Sequence, residues 1–270
     1  MILINGQWQG GGKLDTYEAA RQLGNYFGLS SRAVTLPVST DANLTEEDGI
    51  VGSRVIQEQI QAALTILKNK KPPRLMTVGG GCDADVASIA YMNERYQGDL
   101  SVVWMDAHGD INSPAESASH LFYGMPLRAL LGDCPPISEL ISRKLKPEQI
   151  ALVGSRELDS SETQYIEKNN ISRIPVLSSS ADLRKKLSDV LKSQNKRHIY
   201  IHLDLDVLDP NDFPDTPLPA SGAGYSPDVI LSSLRLLREN YDVVGTGIFE
   251  WKYRESVPEF LKSAVAILSL

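Results

Sequence analysis

Near-continuous apolar runs recur along the chain, and each predicts a β-strand. Five runs rich in β-branched and aromatic residues carry the clearest pattern: Arg74–Val78, Ser101–Met105, Gln149–Val153, His198–Leu203 and Val243–Phe249. The runs Ile2–Ile4 and Ala33–Leu36 are shorter and less pronounced. Strands that are apolar at nearly every position are typical of a parallel sheet that is buried on both faces.

Segments with helical spacing of apolar residues separate these runs. In Ser53–Lys68 one stripe is apolar: Ile56, Ile60, Ala63, Leu64 and Leu67. Ser226-Pro227-Asp228 supplies an N-cap, a proline at the first helical position and an acid in the first turn. Val257–Leu268 predicts a final helix with Pro258 in its first turn. This alternation predicts an α/β fold of three layers (αβα), with helices on both faces of a mostly parallel sheet.

Size and charge narrow the class of protein. The chain has 270 residues, and because α/β folds reach this size as one domain, we expect residues 1–270 to form a single domain. The net charge is 27 − 34 = −7 without a basic stripe, so we expect no nucleic-acid partner. We expect no membrane association either, since there is neither a signal peptide nor a membrane-spanning apolar run. Two widely separated cysteines, Cys82 and Cys134, favour the reducing cytoplasm.

The first motif with candidate chemistry follows the run Ser101–Met105. It reads Asp106-Ala107-His108-Gly109-Asp110. In an extended chain the side chains of Asp106, His108 and Asp110 would converge on one point. Two carboxylates and an imidazole suit Mn²⁺, Fe²⁺ or Zn²⁺.

The second motif closes the run His198–Leu203 and reads HLDLDVLDP over residues 202–210. Asp204 and Asp206 are expected on one strand face, which His202 shares. Asp209-Pro210 then interrupts the strand. Two aspartates in an apolar strand are costly unless they are paired or bind metal.

The two motifs point to metal more strongly together than separately. An isolated Asp-X-Asp is often a turn or a helix cap, and an isolated histidine is more often a buried, hydrogen-bonded residue than a ligand. Four aspartates and a histidine at two strand ends of one sheet have no evident structural purpose. Because four carboxylates exceed what one divalent ion needs, the pattern favours two ions that share carboxylates.

A third motif, Gly79-Gly80-Gly81-Cys82-Asp83, follows the run Arg74–Val78. Its glycines permit a tight turn into a helix around Val86–Tyr91. Cys82 is either a metal ligand or an inert small hydrophobe. Burial without ligation is the commoner fate of a single cysteine.

The order and spacing of these motifs resemble the paired metal-binding signatures of the arginase/agmatinase (ureohydrolase) family. The resemblance covers DAHGD, the IN-S-P that follows it and HLDLDVLDP, and extends roughly from Gly79 to Glu250. It implies a soluble homo-oligomer (trimer or hexamer) that uses Mn²⁺, usually two ions. It also implies that hydroxide bridging the ions attacks the carbon of a guanidinium group.

The resemblance also implies roles for individual residues. Asp106, Asp110 and Asp204 are similar to the ligands of one ion, and His108, Asp106, Asp204 and Asp206 to those of the other. Cys82 stands where the family has a histidine ligand, so one ion is expected to be weakly held or different. Catalytic roles fall on Asp110, as proton carrier, on His108 and on Glu250, which orients the guanidinium. The residues similar to those that bind the distal end of the substrate are Asn112, Ser117, Ser119, Asp159 and Glu162.

Two departures from the family pattern bear on the substrate. Cys82 replaces the histidine ligand, and Tyr123 stands at the family's loop histidine, where a phenol with a pKa of about 10 is a poor proton shuttle. His120, three positions earlier, is an alternative that needs a different loop path. Both departures resemble a branch that hydrolyses N-hydroxy-L-arginine. A hydroxyguanidine is less basic than a guanidine and needs less help in protonating its leaving group.

Three functions remain open at this stage. One is arginase-like hydrolysis of arginine to ornithine and urea, and another is hydrolysis of N-hydroxy-arginine to a hydroxyurea-type product, which the Cys82 and Tyr123 pair favours. Agmatine fits less well, because Asn112 and Ser119 suit an amino-acid carboxylate. The third is a catalytically impaired arginase-like scaffold or regulatory protein, which the missing histidine ligand favours and the retained acids oppose.

Overall fold

The sheet at the centre of the fold contains the predicted apolar runs. A computed structural model of the protein describes residues 1–28 and 33–270. Its strands are β1 (Ile2–Asn5), β2 (Ala33–Thr35), β3 (Glu46–Glu47), β4 (Ile50–Val51), β5 (Leu75–Gly79), β6 (Leu100–Met105), β7 (Ile150–Val153), β8 (Ser172–Ile174), β9 (His198–Asp204) and β10 (Asp242–Phe249). Eight of these form one sheet in the order β2-β1-β5-β10-β9-β6-β7-β8, and β3 and β4 form a separate small hairpin.

Helices connect the strands of this sheet. They are α1 (Leu14–Tyr26), α2 (Ser53–Lys70), α3 (Val86–Arg95), α4 (Pro126–Leu131), α5 (Ser160–Lys168), α6 (Ser180–Gln194), α7 (Pro227–Asn240) and α8 (Glu259–Leu268). None of the helices within the described residues combines the length and the apolar character that crossing a bilayer requires.

Successive side chains of the strands pack on opposite faces of the sheet and create two hydrophobic cores. In β6, Val102 and Trp104 join the core that includes α2, α3 and α4. Val103 and Met105 join the core that includes α1, α6, α7 and α8. Every neighbouring strand pair in the sheet is parallel. The predicted three-layer α/β fold is therefore confirmed.

The predicted elements differ from the observed ones where the local pattern is weak. The edge strand β8 is only three residues long, includes the exposed Arg173 and has no continuous apolar run to signal it. The final helix begins at Glu259, and Pro258 precedes it in an extended conformation instead of lying in its first turn. The five strongest strand predictions agree with the structure to within one residue at each end.

The topology gathers the candidate site at one edge of the sheet. The four adjacent strands β5, β10, β9 and β6 run in the same direction. Their carboxyl ends therefore lie side by side, which is where ligands bind in open parallel sheets. Cys82, Glu250, Asp204 and Asp106 lie at or just after these four ends.

Glycines are required at the end of β5 and just after it because neighbouring atoms lie very close, not because the backbone adopts an unusual angle. None of Gly79, Gly80 and Gly81 has a positive φ. A Cβ on Gly80 would lie 2.2 Å from the backbone oxygen of Gln7, and one on Gly79 would lie 2.1 Å from the ring of Phe249. The chain that leads to Cys82 thus passes too close to its neighbours for any side chain.

We predict that Gly80→Ala destabilises the protein by about 1–3 kcal/mol or more, because the clash is with backbone that cannot rotate away. The matched control is Gly124→Ala, since a Cβ there meets nothing within 4 Å. It should change the free energy of unfolding by less than about 0.5 kcal/mol. Urea unfolding of both variants, followed by circular dichroism, checks the prediction; equal stability of the two variants would contradict it.

Candidate metal and active site

Asp106 begins the site at the end of β6. Its carboxylate is buried and accepts hydrogen bonds from the indole Nε1 of Trp104 at 3.1 Å and from the backbone N–H of His108 at 2.6 Å. Burial alone would raise the pKa of Asp106, but the hydrogen bond and the charge of His108 outweigh it and hold the pKa below its ordinary value.

His108 lies between carboxylates of three segments. Its Nδ1 is 2.8 Å from Asp206 Oδ2 and 3.5 Å from Asp106 Oδ1, and its Nε2 is 3.2 Å from Glu157 Oε2. Burial opposes the charged imidazolium, yet hydrogen bonds to Asp106 and Asp206 raise the pKa of His108. His108 is therefore the positively charged group among these carboxylates.

Asp110 is reached by a bent chain and not by the extended one that we expected. The backbone bends at Ala107 and His108, and Asp110 has a left-handed φ of 53°. Its Oδ2 is buried without a hydrogen-bond partner. Burial and the neighbouring charge of Asp106 raise the pKa of Asp110 well above the ordinary value. A buried carboxylate oxygen without a partner is the kind of atom that a cation or a proton satisfies.

The second motif also departs from the predicted strand. β9 ends at Asp204, and Asp206 lies in a single 3₁₀ turn, Leu205–Val207, so the two aspartates do not share a strand face. They are held together because the backbone N–H of Asp206 donates to Asp204 Oδ1 at 2.7 Å. The N–H of Ala107 donates to Asp206 Oδ1 at 3.0 Å, which joins the first motif to the second.

Cys82 is buried among charged groups. Its Sγ lies 2.8 Å from Asp204 Oδ2, 3.7 Å from Asp106 Oδ2 and 3.3 Å from His202 Nε2. Burial and the charges of Asp204, Asp110, Asp106 and Glu250 raise the pKa of this thiol. The sulfur thus has carboxylate and imidazole neighbours, while Cys82 also belongs to the hydrophobic core that includes α2, α3 and α4.

Glu250 closes the site from β10. Its side chain is buried, and its backbone has a left-handed φ of 59°. The backbone N–H of Cys82 donates to its carboxylate. Burial, followed by the charges of Asp206, Asp83 and Asp106, raises its pKa well above the ordinary value. Burial likewise raises the pKa of Asp83 to about 7.

Three groups of donor atoms within the described residues are close enough to hold a metal ion. Within each group the ligand atoms lie within 4.8 Å of one another: Cys82, Asp106 and His202; Cys82, Asp204 and Glu250; Asp106, His108 and Asp206. The donors are four carboxylates, two imidazoles and one thiol, a set that suits divalent transition metals. Together with the unpartnered oxygen of Asp110, these residues fit the divalent ions that the sequence predicts.

A cleft of about 420 Å³ opens above these acids. A second cavity of about 10 Å³ lies beneath it, lined by Cys82, Asp204, Asp206, Leu218 and Glu250. His108, Asp110 and Tyr123 line both spaces and connect them. Among the described residues that line the cleft there are four carboxylates and neither lysine nor arginine. The cleft therefore favours a cationic ligand.

The residues predicted to read the distal end of a substrate lie along this cleft. Asn112 donates to Asp159 Oδ2 at 2.8 Å, and Ser117 Oγ is 3.4 Å from Ser119 Oγ. Glu162 accepts from the backbone N–H groups of Asp159 at 2.9 Å and Ile111 at 3.1 Å. Glu162 thus fixes the loop that presents Asp159 and Asn112, in addition to lining the cleft.

The two candidates for proton transfer take different positions. Tyr123 lines the cleft, and its pKa is raised by burial and by the charge of Asp110. His120 is absent from the described lining of either cavity; its Nδ1 lies 3.1 Å from the backbone oxygen of Gly49. The loop path that would bring His120 to the reaction centre is not the one observed.

Three residues support the site through contacts that sequence reasoning did not predict. Glu157 contacts His108 and lines the cleft. Arg156 donates to the backbone oxygens of Asp206 at 2.8 Å and Leu208 at 3.0 Å and so holds the second motif in place. Asp85 lies 2.9 Å from His202. Arg156 and Glu157 lie in a segment, residues 153–159, that resembles a family motif, but no local pattern reveals contacts between distant segments.

Comparisons with known proteins agree with this architecture. The model of the arginase family matches residues 18–253. The arginase of Staphylococcus aureus (strain COL) is 34% identical over 199 residues, which covers 70% of this chain and 63% of that protein. The aligned region therefore spans less than two thirds of the length of this relative.

Solved structures share the fold. The arginase of Entamoeba histolytica, in complex with L-ornithine, superposes with a TM-score of 0.86 at 18% identity and covers 99% of this chain and 95% of its own. The Bacillus caldovelox arginase gives a TM-score of 0.79 at 24% identity, with the same coverage. At these identities the likeness concerns the fold. Since the family model matches most of the 270 residues, the chain belongs to the arginase family.

Proposed function

We propose that the protein hydrolyses a C–N bond of a guanidino group in an arginine-like substrate. The observation that carries this proposal is the convergence of Asp106, His108, Asp110, Asp204 and Asp206 at the base of an acidic cleft, in a chain of the arginase family. No structural purpose accounts for so many buried acids, whose mutual repulsion and lost hydration destabilise the metal-free protein.

The proposed ligands divide between two divalent ions, most readily Mn²⁺. Asp106 and Asp204 would be shared by both ions, Asp110 and Cys82 would help to hold one, and His108 and Asp206 would help to hold the other. When bound, such ions polarise the reacting group and lower the pKa of a coordinated water. Because a thiolate is softer than the imidazole it replaces, the ion at Cys82 is the one expected to differ in affinity or identity.

The remaining side chains orient the substrate. Glu250 presents a carboxylate in the small cavity, where it can accept hydrogen bonds from a guanidinium group. Asp159 and Glu162 provide negative charge for an α-amino group further out, and Asn112, Ser117 and Ser119 provide hydrogen-bond donors for a carboxylate. These two groups of residues favour a substrate that is an amino acid as well as a guanidine.

Proton transfer sets the choice among guanidines. Asp110 lies between the two cavities and is positioned to carry a proton to the leaving amine. Tyr123 stays a neutral phenol near neutral pH, since its pKa is raised above the ordinary value of about 10. A site without a proton shuttle at this position favours a substrate that needs less help in protonating its leaving amine. This supports N-hydroxy-L-arginine over L-arginine.

We predict that Asp204→Ala removes both metal binding and turnover. The loss of a carboxylate common to both ions should lower kcat/KM by at least about a hundredfold. Metal content after dialysis against Mn²⁺ and product release from the two arginines are the measurements, and Asp212→Ala, at an exposed acid of the next loop, is the control. Full metal content with full activity in the Asp204 variant would refute the assignment, and a wild-type protein that binds no metal would favour the scaffold alternative.

The raised pKa values predict a pH-dependent response to metal. Burial raises the pKa of Asp110, Asp204 and Glu250. Above the ordinary carboxyl pKa of about 4, the folded metal-free protein therefore holds protons that the unfolded chain releases, and its stability falls as pH rises. A divalent ion displaces these protons. We expect the increase in Tm on adding Mn²⁺ to be greater at about pH 8 than at about pH 6, by about 3 °C or more.

Differential scanning fluorimetry with and without Mn²⁺ measures this difference. The Asp204→Ala variant serves as the control for effects of pH on the rest of the molecule, and its Tm should respond to Mn²⁺ little at either pH. A gain in the wild-type protein that is constant or shrinks as the pH rises would be the wrong sign for displacement of protons from these carboxyls.

We predict that the protein turns over N-hydroxy-L-arginine faster than L-arginine, and that Tyr123→His narrows this preference. An imidazole titrates near neutral pH and can protonate the amine that departs from arginine, whose more basic guanidine needs more help in this step, so kcat/KM for arginine should rise about tenfold or more. Tyr123→Phe, which keeps the ring without the titratable group, should change neither substrate by more than about threefold. Colorimetric assay of urea and hydroxyurea provides the rates; unchanged selectivity in Tyr123→His would contradict the explanation.

A further inference from the structure

A buried chain of polar contacts reaches the sulfur of Cys82 from behind. His202 Nε2 lies 3.3 Å from Cys82 Sγ, and His202 Nδ1 lies 2.9 Å from Asp85 Oδ2. His202 and Asp85 are fully buried, and Cys82 is 2% exposed. Neither side chain has a role in the proposed metal coordination or substrate binding, although His202 lies close enough to Cys82 and Asp106 to belong to one candidate group of donor atoms.

The ring of His202 is fixed in orientation by aromatic neighbours. Trp104 stacks on it with a centroid distance of 3.4 Å and an interplanar angle of 3°, and Phe249 stacks on the other side at 4.5 Å and 10°. Asp85 is fixed in turn, because the hydroxyl of Tyr200 donates to its other carboxylate oxygen. The imidazole therefore has one orientation, in which its two nitrogens point to Asp85 and Cys82.

Packing alone does not explain a histidine here. A purely apolar ring would fill the space between Trp104 and Phe249 without the cost of burying two polar nitrogens and the carboxylate of Asp85. What the imidazole adds is a directed contact with Sγ. A cysteine has three staggered rotamers about χ1, and this contact favours the one that brings Sγ to Asp204 and Asp106.

We propose that His202, held by Asp85, is a positioning residue that aims Cys82 Sγ at the metal position shared with Asp106 and Asp204. The inference rests on the proposed function, since it takes Cys82 as a ligand. A thiol would donate to an unprotonated Nε2, and a thiolate would accept from a protonated Nε2; the contact orients Sγ in both cases. Groups that orient a ligand in this way typically change metal affinity by about 10–100-fold.

The test uses Co²⁺ as the probe, because a thiolate ligand to Co²⁺ gives a near-ultraviolet charge-transfer absorption that carboxylates and imidazoles do not. The His202→Phe variant keeps a stacked ring and loses both nitrogens. Its matched control is His198→Phe at the other end of β9, where a histidine also pairs with an aspartate, Asp242, at 2.7 Å and contacts the ring of Tyr96. Each variant is made in the wild-type and in the Cys82→Ser background.

We expect His202→Phe to weaken Co²⁺ binding about 10–100-fold and to reduce the charge-transfer absorption per bound ion, with His198→Phe unchanged. In the Cys82→Ser background the same substitution should cost less than about threefold, because the thiolate ligand through which His202 acts is gone and a serine hydroxyl is a weak metal ligand. His202→Gln, whose amide reaches towards Sγ, should restore most of the affinity. If the Tm of His202→Phe without metal shows that this variant does not fold, His202→Gln takes its place in the Co²⁺ binding test.

Two results would overturn the inference. One is an unaltered affinity and absorption in a folded His202→Phe protein, and the other is an equal loss in both backgrounds, which would indicate a general effect on the fold. Failure of the proposed function gives a different pattern. If Cys82→Ser alone leaves Co²⁺ affinity and absorption unchanged, Cys82 is not a ligand; if the wild-type protein binds no Co²⁺, the metal site itself is refuted. Either result removes the role of His202 as well.

Discussion

The electrostatic cost of crowding carboxylates into a nearly dry pocket is the constraint on which the rest of the structure depends. Asp106, Asp110, Asp204, Asp206 and Glu250 are all buried at one edge of the sheet. Isolated charges in such surroundings are strongly unfavourable, and neighbouring charges of the same sign add to the cost. In the metal-free protein this cost raises the pKa of four of these acids, and the charged imidazole of His108 offsets part of it. Bound divalent cations would offset it while leaving more of the carboxylates ionised.

The fold supplies the rigidity that such a site needs. Four adjacent parallel strands end side by side, and their pairing leaves little freedom for the residues that follow. Gly79 and Gly80 allow neighbouring segments to come into contact where a Cβ would prevent it. Backbone N–H groups of Ala107 and Asp206 bind the aspartates, and Arg156 holds the turn after β9 by its carbonyl oxygens. The geometry of the candidate site is kept in this way by backbone groups and by Arg156.

The same acids connect the inner site with the cleft above it. Glu157 contacts His108 at the boundary, and Glu162 fixes the loop that carries Asp159. Acidic side chains therefore follow one another from the cleft to the strand ends, with the charged His108 between them. An amino acid with a guanidino side chain would place its α-amino group and its guanidinium group near the acids at the two ends of this path. Cys82 and Tyr123 depart from the family pattern in the middle of this path, where the reacting group would lie.

Local sequence was sufficient to predict the strands that have apolar runs, the three-layer fold and the two aspartate motifs. Buried parallel strands and costly buried charges each leave a recognisable pattern in a few consecutive residues. Local sequence was insufficient for β8, whose three residues lack an apolar run, and for the path of the chain through residues 106–110, which bends instead of extending. Only the tertiary structure decided that Cys82 faces carboxylates, that Glu250 is buried and that Asp85 and His202 stand behind the sulfur. The contacts of Cys82 with Asp204 and of Asp85 with His202 join residues 122 and 117 positions apart, and their energies depend on distances and burial that arise only when the chain has folded.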